Sequence, residues 1–264
     1  MPLIRQTKTF NHRERQMLAG LFLSKFSKQA LEHLGFKSFT EAYTVIGYAL
    51  DGKPVSIKNY MQEFDPLFPN GRKGWHGRQV RPDRREFFET FGRLSLVELS
   101  ALLSPLLLKA TPARRLPESL REIEALDENA LENESVSKRL ITGVAAERFF
   151  AAAFPSLEEF VGHKLRNVTR FGCGFDFRIQ PNDSERFLAA EVKGLAGPTG
   201  EIMMTPKEHR VAEYLGERYF LCVVRNFSER PTLTIFRNPL KDGPEFVRRE
   251  RRQTLETWHA RISA

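Results

Sequence analysis

The chain has 264 residues, 41% hydrophobic and 11% aromatic with 22 phenylalanines, which suits one large core or two modest ones and excludes a disordered tail. A net charge of +8 and a pI near 9.6 favour an anionic partner, nucleic acid before a membrane surface. Cys173 and Cys222 lack metal-type spacing and read as reduced, and no apolar run nears the roughly 20 residues of a bilayer span or forms a secretory segment; the expectation is a cytoplasmic protein without membrane contact.

The first third reads as helical. Met17, Leu18, Leu21, Phe22, Phe26, Ala30, Leu31 and Leu34 recur at helical spacing up to Gly35. Ser38 and Thr40 can cap a second helix running to Leu50. Residues 51–54 are a turn, and a third helix starts at Ser56 and stops before Pro66. The short turn, with Ser56, Lys58, Asn59, Tyr60 and Gln62 on the helix after it, resembles a helix-turn-helix; a plain helical bundle is the equal alternative. The loop 69–82 then gathers Arg72, Lys73, Arg78 and Arg81 around Trp75 and His76. Its cations suit phosphates, its glycines let the backbone approach a surface closely, and an exposed indole can stack on a base. The alternative is a Trp75 anchored in the core beneath solvated charges. Residues 87–108 form a strongly apolar helical stretch, after which Pro105, Pro112 and Pro117 break the chain before an acidic helical segment, 118–134. This shift divides the chain into a mostly helical DNA-recognition domain at 1–110, a linker at 111–136 and an α/β (α+β) domain at 137–264.

In the last domain a helix is expected over 138–154. Strands follow near 164–170, 174–179 and 187–192. Thr205 caps a helix over 206–215 that Gly216 ends, residues 219–225 and 232–237 are strands, and the charged tail 245–263 reads as helical. Residues 181–186 have turn composition, so the two middle strands pair as a hairpin. Asp176 and Glu191 then approach from neighbouring strands, and Glu191 and Lys193, two residues apart, leave the same face of one strand.

Two carboxylates and an amine at one place suit a hard divalent cation and a phosphate. A phosphodiester resists attack because its anionic oxygens repel the nucleophile and its leaving alkoxide is poor; a divalent cation addresses both. Mg²⁺ takes one or two protein carboxylates and keeps room for water and phosphate. Asp176 and Glu191 fit that role, with the Val192 carbonyl as a third oxygen and Mn²⁺ as a substitute ion. Lys193 would orient or deprotonate the attacking water and offset phosphate charge, and Glu147 on the preceding helix can reach the metal directly or through water. Glu208 reads as a first-turn glutamate favoured by the helix dipole.

Asp176, then Glu191-Val192-Lys193, after a helix bearing Glu147, resembles the PD-(D/E)XK nuclease superfamily. Residues 138–240 are similar in finer detail to the endonuclease-like domain at the C-terminus of NO VEIN-type proteins, which bacterial restriction proteins also carry. The shared features are Ala146-Glu147, Gly174-Phe175-Asp176, Glu191-Val192-Lys193-Gly194, the Met204-to-Glu208 helix start and the Tyr219-to-Val224 strand. Phe175 stands where the superfamily often has proline. The resemblance implies a mixed central sheet flanked by helices and a Mg²⁺-dependent type II restriction endonuclease. Its partner would be double-stranded DNA, and cleaving both strands calls for a homodimer or a dimer formed on DNA. A second likeness, of residues 58–66 and 70–76 to the N-terminal regions of BisI-like enzymes, implies a target carrying 5-methylcytosine, though no modified-base pocket maps onto particular residues. Beside these stand a catalytically inactive or regulatory helix-turn-helix DNA-binding protein and a non-specific repair nuclease.

Overall fold

The computed structural model describes residues 9–72, 74–75, 77–108 and 136–249. The expected acidic helix at 118–134, nearly all of the 111–136 linker, and the tail beyond 249 lie outside the described residues; 245–249 carry no regular structure.

The first six helices are α1 (His12–Phe26), α2 (Lys28–Leu34), α3 (Phe39–Ala49), α4 (Pro54–Phe64), α5 (Pro82–Phe91) and α6 (Leu96–Leu107). The first apolar stripe is two helices, not one, because Ser27 takes φ +53° between them. That strained residue is held from outside: the Arg72 guanidinium donates to Ser27 Oγ at 2.7 Å. Ser38 caps α3 by accepting from the Glu41 N–H, and α4 begins two residues before Ser56 because Pro54 suits the first helical turn. The 87–108 stretch is likewise two helices, separated where Ser95 and Glu98 build a capping box for α6. Pro105 does not break α6, which runs on to Leu107. The carbonyl its ring opposes is that of exposed Ala101, where water can serve as donor. Among the described residues no single helix is long and apolar enough to cross a membrane.

After α7 (Val136–Ala153) come β1 (Lys164–Asn167), β2 (Phe177–Gln180), β3 (Leu188–Gly194), α8 (Pro206–Leu215), β4 (Tyr219–Arg225), β5 (Thr232–Arg237) and the short α9 (Pro239–Asp242). The strands form one mixed sheet in chain order; β3 and β4 are parallel and the other pairs antiparallel. α7 covers one face, over Phe177, Ile179, Ala190, Val192, Phe220 and Cys222. α8 covers part of the other, over Ala189 and Tyr219. The expected first two strands are shorter than their apolar patterns, because residues 168–176 leave the sheet for a short 3₁₀ turn (Thr169–Phe171) and a loop.

The helical part and the sheet share one buried apolar cluster running from Phe10 to Phe227. α3 packs on α7, Tyr48 meets the Phe149 and Phe227 rings edge-on at 5.2 and 6.4 Å, and Lys138 Nζ lies 2.7 Å from Glu41 Oε1 with both side chains buried.

Candidate active site

The register Phe177↔Ala190, continued one step toward the loop, sets Asp176 beside Glu191 on the sheet face opposite α7. Both are buried, at 2% exposure each. Asp176 Oδ2 accepts the Val192 N–H at 3.0 Å. The Val192 contact the structure shows is thus through its amide; its carbonyl was the expected ligand. Glu191 Oε1 lies 2.9 Å from Lys193 Nζ, whose other contact is Glu208 Oε2 at 2.7 Å. Glu191 Oε2 is buried with no hydrogen-bond donor among the described residues. Glu147, half-buried on α7, accepts from the Thr169 hydroxyl at 3.2 Å, and that hydroxyl lies 3.3 Å from Asp176 Oδ1. Asp176, Glu191 and Lys193 therefore come together on one face, with Glu208 bridging to the lysine, and Glu147 is linked to Asp176 through the bridging Thr169 hydroxyl.

Those two bridging residues are what sequence reasoning missed. Glu208 is a first-turn glutamate, as read, and closes a capping box with Thr205. It is also buried, and the carboxylate that serves the cap also receives Lys193. The Thr-x-x-Glu spacing signals the cap, and only the fold adds the lysine. Thr169 carries no such signal. It is placed by a local turn in which Asn167 Oδ1 accepts its N–H, and by the Val168 N–H donating to the Asp176 carbonyl.

Two glycines set the distances. Gly174 has φ +92°, and a Cβ there would stand 2.8 Å from Val211 on α8. Gly194, ending the Glu-Val-Lys-Gly run, lies so near α7 that a Cβ would stand 2.8 Å from the Thr142 carbonyl and 3.0 Å from Ala146. Gly194→Ala is expected to push α7, and Glu147 with it, off the sheet. Its cost should be about 1–3 kcal/mol, measured by urea unfolding; a midpoint equal to wild type would show that the approach is not tight.

The electrostatics favour a cation. Burial pushes the Glu191 carboxyl well up, the Asp176 and Glu208 charges push it further, and Lys193 only partly offsets them. Glu208 ends below its ordinary value: burial raises it, but the Lys193 charge, the lysine hydrogen bond, the Thr205 N–H and a hydrogen bond with the Glu191 carboxyl outweigh that. Lys193 is lowered by burial yet raised on balance by the two carboxylates. As arranged here it is a charged donor able to orient water or phosphate, and its surroundings do not make it a base. Among the described residues no three His, Cys, Asp or Glu side chains converge as a ready metal cage. The donor set of two mutually repelling carboxylates, one with an orphaned oxygen, instead fits a hard cation that keeps much of its water.

The residues expected to touch DNA sit elsewhere. On α4, Lys58 is exposed and Asn59 half-buried. Arg72 is committed inside the protein, donating to Asp65 Oδ1, the Ser24 carbonyl and Ser27 Oγ at 2.5, 2.7 and 2.7 Å. Trp75 is half-buried, with the Arg78 guanidinium 4.9 Å from its ring, and exposed Arg81 lies 3.7 Å from Glu63. Trp75, Arg78 and Arg81 line one shallow cleft with Glu63. Lys73 and His76 lie outside the described residues.

No curated protein and no solved structure matches the chain. Residues 146–236, about a third of the chain, match the family model described as Protein NO VEIN, C-terminal, a domain associated with PD-(D/E)XK nuclease-like folds.

Proposed function

We propose that this protein is a metal-dependent endonuclease that hydrolyses phosphodiester bonds of double-stranded DNA, with Mg²⁺ as the ion and restriction as its role. The observation that carries the reading is the buried Asp176–Glu191 pair, in which one Glu191 oxygen faces the charged Lys193 and the other has no donor among the described residues. An orphaned buried carboxylate oxygen costs stability, a cost that a bound cation would offset.

Asp176 and Glu191 would hold the metal, with the Val192 carbonyl and Glu147 as further oxygens. When bound, the ion lowers the pKa of a water and neutralises charge on the phosphate. Lys193, protonated, would orient that water or steady the phosphate oxygens, and Glu208 would hold the lysine in position. Lys58, Asn59, Trp75, Arg78 and Arg81 would contact the duplex; Arg72, already fully engaged, would brace the loop. A homodimer, or two copies meeting on DNA, would cut both strands.

Plasmid nicking tests this. Wild type is expected to cut with Mg²⁺ or Mn²⁺ and not in EDTA, giving discrete fragments on phage DNA carrying or lacking 5-methylcytosine. A smear on both substrates would point to a non-specific nuclease, and tight binding without cutting to a binding protein. An independent reading comes from thermal unfolding. Because the folded Glu191 carboxyl is raised, its stabilising effect is present below the ordinary value of 4.5 and lost as pH rises through the raised one. Metal binding competes with protonation of that raised carboxyl, so the melting-temperature gain from Mg²⁺ should grow as pH rises. Asp176→Asn should remove the gain. A gain independent of pH and of Asp176 would rule out this site.

A further inference from the structure

A basic strip on the catalytic face of the sheet has no part in the site described above. Arg166 on β1 is paired with Arg178 on β2, and Arg178 with Ala189 on β3. Cross-strand partners share a face, and residues two apart on a strand share a face. Arg166, Arg178 and Lys164 therefore stand on the same side of the sheet as Glu191 and Lys193. Strand geometry sets the Arg178 backbone roughly 8 Å from that of Glu191, with Arg166 one strand further out. All three cations are exposed, as is Arg170, the residue after Thr169. None of these four has a carboxylate partner among the described residues. Arg178 stacks on Phe187 and donates to Gln180, and Arg170 stacks on Phe171, itself 56% exposed.

Two arginines directly opposite one another, with no acid between them, repel. Charged side chains guard exposed sheet edges in many proteins, but guarding does not call for two arginines face to face. At the far side of the sheet two cations are paired: Arg237 at the end of β5 with Glu217 at 3.2 Å, and Lys241 on α9 with Asp242 at 4.0 Å.

We propose that Lys164, Arg166 and Arg178 form a phosphate-tracking strip that holds the backbone of the DNA strand leading into the Asp176–Glu191 site. Arg170 and Phe171 would form its inner end, where a ring and a guanidinium can meet a base beside the bond to be cut. The proposal rests on the nuclease reading for its direction, and it differs from the helical-part contacts in being sequence-independent.

The test is Arg166→Ala with Arg178→Ala, read by fluorescence anisotropy on a short labelled duplex in EDTA, where nothing is cut. Each lost phosphate contact should lower the slope of log K against log salt by about 0.9, so the pair should lower it by about 2, with roughly tenfold weaker binding near about 0.15 M salt. The unfolding midpoint should be unchanged or higher, since the removed charges opposed each other. Arg237→Ala with Lys241→Ala removes the same charge at the far edge and should leave the slope as it was. An unchanged slope in the Arg166/Arg178 variant overturns the strip, and so does an equal fall in the far-edge control, which would mark a net-charge effect. Arginine-dependent binding to RNA with none to duplex DNA overturns it as well. If wild type cuts DNA and the double variant binds as wild type does, the strip alone fails. If the arginines matter for binding but wild type cuts nothing with Mg²⁺, the nuclease reading fails and the strip stands.

Discussion

Lys193→Met is expected to lower cleavage by about 10³-fold or more and to destabilise the fold by about 3 kcal/mol near neutral pH, with much of that stability returning in acid. Lys193 is the one cation between two buried carboxylates, at 2.9 Å from Glu191 and 2.7 Å from Glu208. Removing it leaves the Glu191 and Glu208 carboxyls together out of water with no counter-charge. The sign of the pH effect follows from the two partners. Glu191 is already raised by burial and by Asp176 and Glu208; without the lysine it rises further, and a raised folded value means stability lost as pH climbs through it. Glu208, which burial raises but Lys193 and the Thr205 N–H bring below normal, contributes stability above the ordinary 4.5 that is lost as pH falls through its lowered value. That contribution disappears with the lysine. Both changes make wild type and variant diverge as pH rises, so urea midpoints should be close near about pH 4–5 and far apart near about pH 8. Parallel curves would show that Lys193 does not balance these acids. Asp176→Asn separates chemistry from folding: it relieves a repulsion, can still accept the Val192 N–H, and should stop cleavage with little loss of stability.

What was legible in the sequence of this site was its polarity and order along the chain. The Glu-x-Lys spacing places Glu191 and Lys193 on one face of a strand, and alternation around Phe177 puts Asp176 on a polar face; setting the two together needs the hairpin register. The Thr205 cap and the Gly216 stop bound α8 to the residue. Less visible was anything that depended on which elements meet. Glu208 serves a local cap and a distant lysine with the same oxygen, and only the first duty has a sequence signature. Arg72 looked like a loop cation free for phosphates, yet the return of its loop to the end of α1 buries Asp65 beside it and consumes its donors. The unbroken stripe from Met17 to Leu34 hid the break at Ser27 for the same reason, since what holds that residue in its strained conformation comes from 45 positions away. Arg166 and Arg178 drew no notice because pairing register, and not composition, sets them face to face.

The same limit explains the largest purely structural prediction. Lys138 stands in the first turn of α7 and Glu41 in the first turn of α3, and nothing in either segment's sequence suggests the other. The structure buries both, with Nζ 2.7 Å from Glu41 Oε1 and side-chain exposures of 1% and 2%, while Glu41 Oε2 accepts the Lys37 N–H at 2.7 Å. A charge held that far from water tolerates no loss of its counterpart. Lys138→Met should destabilise the protein by about 3–5 kcal/mol. Adding Glu41→Gln should recover much of that loss, since a neutral amide can still accept from Lys37 and no lone charge remains. The urea-midpoint cycle over the two singles and the double should therefore show coupling of about 2 kcal/mol or more. A Lys138→Met cost below about 1 kcal/mol would mean that water reaches the pair and that it does not clamp α3 to α7. The clamp bears on function as well as stability. α7 carries both Lys138 and Glu147, so whatever fixes the helix against α3 also fixes how far Glu147 stands from Asp176. On the proposed nuclease reading, a shift of about 1 Å at Glu147 can cost about 100-fold in rate, so Lys138→Met should lower cleavage even in conditions where the variant stays folded.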